Sequence, residues 1–357
     1  ITYSANGTEL SARSSVSAIN EYNYAIRTTM STDIHSIGDK LEFGITFQPS
    51  GIPQKANLDA IIINYTRRLS LFRGQLAFTL RTPSASLADA SENTVIWDVT
   101  DPLNIYNINA TFSNGTLSWT NTYSGERNYA AWTPGATYPV PQYVGAVSNQ
   151  NLHSSQTQPD MMIFTVSDWA GEANRLAEMH RNGARKLAVN VVVQDEVFNE
   201  FSSGVPDVNA FRHYLKMVYD RGKAAGHPLR YVLMFGRATF DNRLISPEMK
   251  AAKEPYMPTW QTDEGLSVYS SFSSDDPIAM LEDNSGSSMA TSAISVALGR
   301  APIHSLTNAK TFVDKAIAYS KNSYASDWKN QVVLMADNGD LGVFMKDSER
   351  QYANFMS

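Results

Sequence analysis

Met161-Met-Ile-Phe-Thr-Val166 is apolar at every position but one. A strand with one solvated face alternates apolar and polar residues. An unbroken apolar run is instead what a strand buried on both faces requires, the condition of a parallel sheet covered by helices. The residues that follow fit that reading. Ser167 offers a helix cap, and Trp169 through Asn182 has a helical period closing at Gly183. Leu187-Ala-Val-Asn-Val-Val-Val193 reads as the next strand. Asp207 then caps a helix whose apolar stripe is Phe211, Leu215, Val218 and Tyr219. Arg230-Tyr-Val-Leu-Met-Phe235 returns as a strand ending at Gly236. Strands and helices alternating at these lengths predict a parallel α/β sheet.

Downstream, Ile294-Ser-Val-Ala-Leu-Gly-Arg-Ala-Pro-Ile303 reads as a further strand and Ala309 through Tyr319 as a helix. Asn330-Gln-Val-Val-Leu-Met-Ala336 reads as the last strand, delivering the acidic turn Asp337-Asn338-Gly339-Asp340.

Upstream the pattern is that of β-structure. Asp59-Ala-Ile-Ile-Ile-Asn-Tyr65, Gln75-Leu-Ala-Phe-Thr-Leu80 and Thr94-Val-Ile-Trp-Asp-Val99 are short runs rich in branched and aromatic residues. Asn107 through Phe112 and Thr116 through Trp119 flank Asn114-Gly115, a pair that tolerates the positive φ of a type I′ hairpin turn. No helical period appears before residue 150, so a sandwich is expected. Polar, proline-punctuated sequence joins the two parts. The expected organisation is a β-rich domain over 1–142, a connecting arm over 143–159, and an α/β subdomain over 160–357.

At 357 residues, with 43% apolar and 18% charged residues, the chain has the composition of globular domains, two or three by length. A net charge of −6 and no concentrated basic face argue against a nucleic-acid partner. The absence of cysteine excludes a disulfide framework or thiolate metal site within these residues. No run approaches about eighteen apolar residues, so no membrane span is expected. The chain begins at Ile1 with no signal-peptide pattern, which reads either as trimming or as a mature exported product.

Open parallel sheets do chemistry beyond the carboxyl ends of their strands. The candidates there are Ser167, Asp168, Asp195, Gly236, Arg237, the Asp241-Asn242-Arg243 loop, Arg300 and Asp337. A carboxylate such as Asp337 at a strand end can orient a histidine and select its tautomer, though Asp, Asn and Gly are also the ordinary turn residues. Asp275, Asp276, Glu282 and Asp283 gather hard oxygen ligands in one loop, which suits calcium. Their spacing is not that of an EF-hand, and acids in a loop are ordinarily just solvated. His180 and His213 fall in helical segments and read as structural. Ser167 and Ser202 lack an elbow motif for a serine hydrolase, and no phosphate-binding glycine loop is present. Trp97, Trp119, Trp132, Tyr123, Tyr129 and Tyr138 are either sandwich core or a binding face.

Several phrases, in order, carry a resemblance: Leu58 through Leu69, Trp97-Asp-Val-Thr-Asp-Pro-Leu103, Val147 through His153, Pro159 through Phe164, Phe235-Gly-Arg-Ala-Thr-Phe-Asp-Asn-Arg243, Ser274-Asp-Asp-Pro277 and Asp283-Asn-Ser-Gly286. The chain resembles the gingipain-type cysteine peptidases, in particular the sortase-like members of the type IX secretion system. The resemblance implies a β-rich domain followed by a caspase-like α/β domain whose Cys and His come after Ser357. It implies a cell-surface enzyme that removes C-terminal sorting signals from exported cargo, works with secretion-system components and requires no cofactor. By the same resemblance Asp337, or Asp340 in the alternative register, supports the histidine. The competing reading is a non-catalytic binding or assembly module with a degenerate peptidase fold.

Overall fold

Four parallel strands lie side by side in the order Val189–Val193, Met161–Thr165, Tyr231–Phe235, Ala297–Ala301. The computed structural model describes residues 1–15, 19–35, 38, 40–49, 55–123, 125–135, 138–155, 157–252 and 255–356. The central strand is buried at all five positions, as its unbroken apolar run requires. Ring contacts show what covers each face. Phe164 meets Phe211 and Tyr214 of the helix Val208–Ala224 at 4.9 and 6.1 Å. Phe235, paired with Thr165 and so on the opposite face, meets Phe312 of the helix Leu306–Ser320 at 6.0 Å. The helices Ala170–Arg181 and Gln194–Phe201 complete the two layers.

The chain leaves the first strand toward Val189–Val193 and then returns past it to Tyr231–Phe235. The topological switch therefore falls between Met161–Thr165 and Tyr231–Phe235, where a crevice at the carboxyl ends is expected.

At the opposite end, Asp160 fastens three strands together. Its Oδ2 accepts the Ala188 N–H at 2.9 Å, and its Oδ1 accepts the Arg230 guanidinium at 2.7 Å with His227 Nε2 at 3.5 Å. Its carbonyl accepts the N–H groups of Arg230 and Tyr231, both at 3.0 Å. Burial alone pushes the carboxyl up, but the Ala188 N–H and Arg230 outweigh it and hold the group below the usual carboxylate range.

The chain divides into the compact unit Gln48–Val147 and a second unit made of Ile1–Phe47 and Ser148–Ser357. The boundary after Val147 falls within the expected arm 143–159, and the first 47 residues group with the α/β part. They form the sheet Thr8–Arg13, Thr2–Ala5, Phe43–Thr46, with Asn6-Gly7 at φ 47° and 79° as a hairpin turn unremarked from sequence. Beyond that sheet, Tyr24 N–H donates to the Leu266 carbonyl at 2.8 Å and Val268 N–H to that of Tyr22 at 2.9 Å. Of the arm 143–159, Gln156 lies outside the described residues. Glu200 accepts the N–H groups of Leu152 and His153, and the carbonyls of Ser155 and His153 accept Arg221, so the arm's second half is fastened to helices.

In the unit Gln48–Val147, one antiparallel sheet runs Gln75–Leu80, Arg127–Trp132, Val95–Asp98, Tyr106–Asn107 and another Ser84–Leu87, Thr116–Thr120, Thr111–Ser113. Leu87, Leu117 and Trp119 of one sheet share a core with Ile96, Tyr129 and Ala131 of the other, which is a sandwich. Asn114 and Gly115 take φ 46° and 77°, the two positive angles of a type I′ turn.

Three expectations are corrected. Neither 59–65 nor 330–336 forms a strand: apart from Asn330, which ends the 3-10 turn Asp327–Asn330, both runs are without regular structure, and Ile62 and Met335 are 83% and 89% exposed. Branched apolar residues favour extended backbone, but a strand needs a partner's hydrogen bonds, and no sheet among the described residues takes either run. Ser167 is not a cap; it lies inside a single 3-10 turn, Ser167–Trp169, that precedes the helix and makes no side-chain capping bond.

The Asp160 carboxylate contributes stability above the ordinary carboxylate range, and this is lost as pH falls through its depressed pKa. Asp160→Asn is expected to cost about 2 kcal/mol at pH 7. In urea unfolding the gap between the two proteins should narrow below about pH 4; a gap that is the same at pH 7 and pH 3 contradicts this account.

Candidate active site

The strand ends at the switch point are packed rather than hollow. Gly236 follows the third strand, and its N–H donates to the Ala301 carbonyl at 3.0 Å, extending the ladder. A Cβ at Gly236 would stand 2.5 Å from Met257 Sδ and 3.3 Å from the Trp169 ring. Glycine is therefore required for these two buried side chains to close over the strand. Beside them Arg237 donates to the Tyr256 hydroxyl at 2.7 Å with its guanidinium 4.4 Å from that ring's centre. Gln194 donates to the Tyr256 carbonyl at 3.0 Å, tying the second strand's end to the same segment.

Arg300 holds that segment down. Its Nε and Nη2 form a bidentate pair with Asp275 at 2.7 Å each. The carbonyls of Gly236 and Pro258 accept its remaining N–H groups at 2.9 and 3.2 Å, and Thr259 donates to Asp275 at 2.8 Å. Both side chains are largely buried, at 13% and 16% exposure. Asn242 exchanges two bonds with the Thr259 backbone, donating at 2.6 Å and accepting at 3.2 Å. Asp241 accepts the N–H groups of Ile245 and Ser246, which hold its carboxyl below the usual range.

The expected calcium loop is corrected by these partners. Asp275 is occupied by Arg300, Glu282 by Lys223 and Tyr219, and Asp283 by Lys216. The exposed Asp276 donates its backbone N–H to Ser274 Oγ. Among the described residues no three His, Cys, Asp or Glu side chains converge as metal ligands. Arg300 of the strand Ala297–Ala301 and the lysines of the helix Val208–Ala224, none of them visible in the loop's own sequence, decide the outcome.

Asp337 is exposed, in a loop ahead of the helix Val343–Met356. Its Oδ1 accepts the Gly339 N–H at 2.9 Å, closing a turn. It lines an open groove of about 410 Å³ with Leu334, Met335, Phe344, Asp347 and Gln351. Asp340 takes φ 48°, in the left-handed region, three residues on. Ser167 and Asp168 are exposed at the first strand's end, where the serine donates to the aspartate at 3.3 Å; Asp195 is exposed in the first turn after the second strand. Ser202 donates to the carbonyls of Phe198 and Val205 and is structural. His180 is half-buried, its pKa lowered by burial, and His213 is on a helix surface. Of the sequence candidates at the sheet's carboxyl end, Gly236 bonds Arg300 directly and Asn242 bonds the Thr259 backbone in the segment that Arg300 fastens, while Asp337 stands in a separate groove. The Trp169–Gly236–Met257 packing went unread from sequence; Gly236 directly after an apolar strand was the available signal.

The family model described as peptidase family C25 matches residues 154–357. No curated protein matches the chain. Among solved structures, dimeric latent PorU from Porphyromonas gingivalis is similar at 25% identity and a TM-score of 0.62. That likeness covers 75% of this chain and 26% of the PorU chain, so the chain spans about a quarter of that protein's length.

Arg300→Lys cannot keep both the bidentate pair and the carbonyl bonds. It is expected to destabilise the protein by about 3 kcal/mol and to speed hydrogen exchange in 257–261 and 273–276 ahead of the central strand. Uniform exchange in both segments and the strand would contradict a local fastening role.

Proposed function

The chain belongs to peptidase family C25, the gingipain-type peptidases, and we propose that it is the leading part of a cell-surface cysteine endopeptidase and transpeptidase that removes C-terminal sorting signals from type IX secretion cargo. The observation that carries this reading is the agreement of two likenesses over different extents. The family match, residues 154–357, takes in a little over half of the chain, whereas the likeness to PorU covers 75% and so includes residues ahead of the matched ones. A peptidase domain of this family preceded by PorU-like structure favours PorU-like work over a free-standing peptidase.

In this reading a thiolate attacks the scissile carbonyl, and the acyl-enzyme is released to water or to an amine. In this reading the nucleophile and its histidine lie outside these 357 residues, which contain no cysteine. Asp337 is the acid proposed to accept the imidazole Nδ1–H, with Asp340 the alternative; its exposed carboxylate beside an open groove supports this. The protein would be exported, stand at the outer-membrane surface, and meet exported cargo and secretion-system components. No cofactor enters the reaction.

The intact mass of the natural gene product tests the reading. A mass well above the 39.4 kDa of this chain is expected, with a thiol whose alkylation by iodoacetamide abolishes cargo cleavage. A mass equal to this chain and no thiol would leave a binding or assembly scaffold instead. In the natural-length enzyme Asp337→Asn is expected to lower kcat by roughly 10²-fold with little change in KM, while Ser167→Ala leaves both unaltered. An undiminished kcat in Asp337→Asn removes this residue from the mechanism.

A further inference from the structure

The outward face of the sheet Gln75–Leu80, Arg127–Trp132, Val95–Asp98, Tyr106–Asn107 has a surface that peptidase chemistry does not use. Alternation sends Ile96, Asp98, Tyr129 and Ala131 into the core and Trp97, Asn128, Ala130 and Trp132 to the other side. The register places Ala77 and Trp97 on either side of Ala130. Two neighbouring alanines thus make a shallow shelf with an indole standing at its edge. Trp97 remains 39% exposed although it meets Trp132 edge-on at 4.4 Å. Asn107 lies opposite Trp97 and Asn128 opposite Thr79, whose hydroxyl donates to the Asn128 side-chain Oδ1 at 2.8 Å.

The outward positions on these strands are Ala, Val, Trp, Asn, Gln and Thr, and none carries charge. Beyond the strand ends the exposed Arg81 is paired with Glu126 at 2.9 Å, and on the strands Arg127 is turned to the buried Asp98 at 2.6 Å. A polyanion or an anionic lipid surface needs cations that this face lacks. A purely apolar partner would strand the amides around the shelf without hydrogen bonds. What complements an indole, a flat apolar strip and amides offering both donors and acceptors is a molecule with apolar C–H faces and neutral hydroxyls. We propose that this face binds an uncharged polysaccharide, its sugar rings laid along the Ala77–Ala130 shelf against Trp97 and its hydroxyls bonded to Asn107 and Asn128. The proposal does not rest on the peptidase reading.

Native electrophoresis of the 357-residue chain through gels containing dextran, mannan or galactomannan tests it, with heparin as the charged control. Retardation by at least one neutral polymer and none by heparin is expected. Trp97→Ala should weaken the apparent affinity by about tenfold. Ala77→Glu, which sets a charge on the exposed shelf without touching the core, should do the same while the melting temperature stays at the parent value. Migration unchanged in all three neutral polymers overturns the proposal, as does retardation by heparin alone. Retardation that survives both substitutions assigns the binding elsewhere and overturns the site.

Discussion

A carboxylate at the start of the central strand sets the geometry of the parallel sheet. Asp160 takes the Ala188 N–H on one side and the Arg230 side chain on the other, so the three strands that begin there are held in one register. Parallel strands have no tight turn to align them; each is reached through a helix. A fixed starting point on both flanks substitutes for the turn. With the register held, Phe164 faces Phe211 and Tyr214 while Phe235 faces Phe312, and both helix layers find their seats.

At the other end of the same strands the organising group is a cation. Arg300 gathers the carbonyls of Gly236 and Pro258 and the carboxylate of Asp275, and so anchors a long connection whose buried polar groups need partners. The floor of the crevice is closed by Trp169 and Met257 over Gly236. The strand ends therefore make a packed floor rather than a cavity within the sheet, and Asp337 stands in a groove of its own.

Legibility from sequence followed how local each determinant is. Met161 through Val166 could be read as a buried strand because burial on two faces leaves an unbroken apolar signature. Asn114-Gly115 could be read as a hairpin because the turn's positive angles depend on those two residues alone. Val332 through Met335 carry the same apolar signature as the buried strand and yet stand exposed and unpaired. Their composition expresses a preference, and pairing depends on a partner that no local pattern encodes. The acids of the loop 275–283 were misread for the same reason: four carboxylates close in sequence look like one site, and three of them pair with cations of one distant strand and one distant helix.

The sequence by itself determined the order of β-rich and α/β parts, the parallel strands other than the last, the capped helix after Asp207, and the resemblance to gingipain-type peptidases. Periodicity, burial pattern and turn chemistry act over a few residues, and ordered phrases survive as text. Only the tertiary structure decided that residues 1–47 group with the α/β part, that Arg300 is a fastener, and that Trp97 and Trp132 face outward while Trp119 and Tyr129 fill the core. Each of those outcomes depends on which distant residue arrives as neighbour, and distance along the chain carries no signal of that.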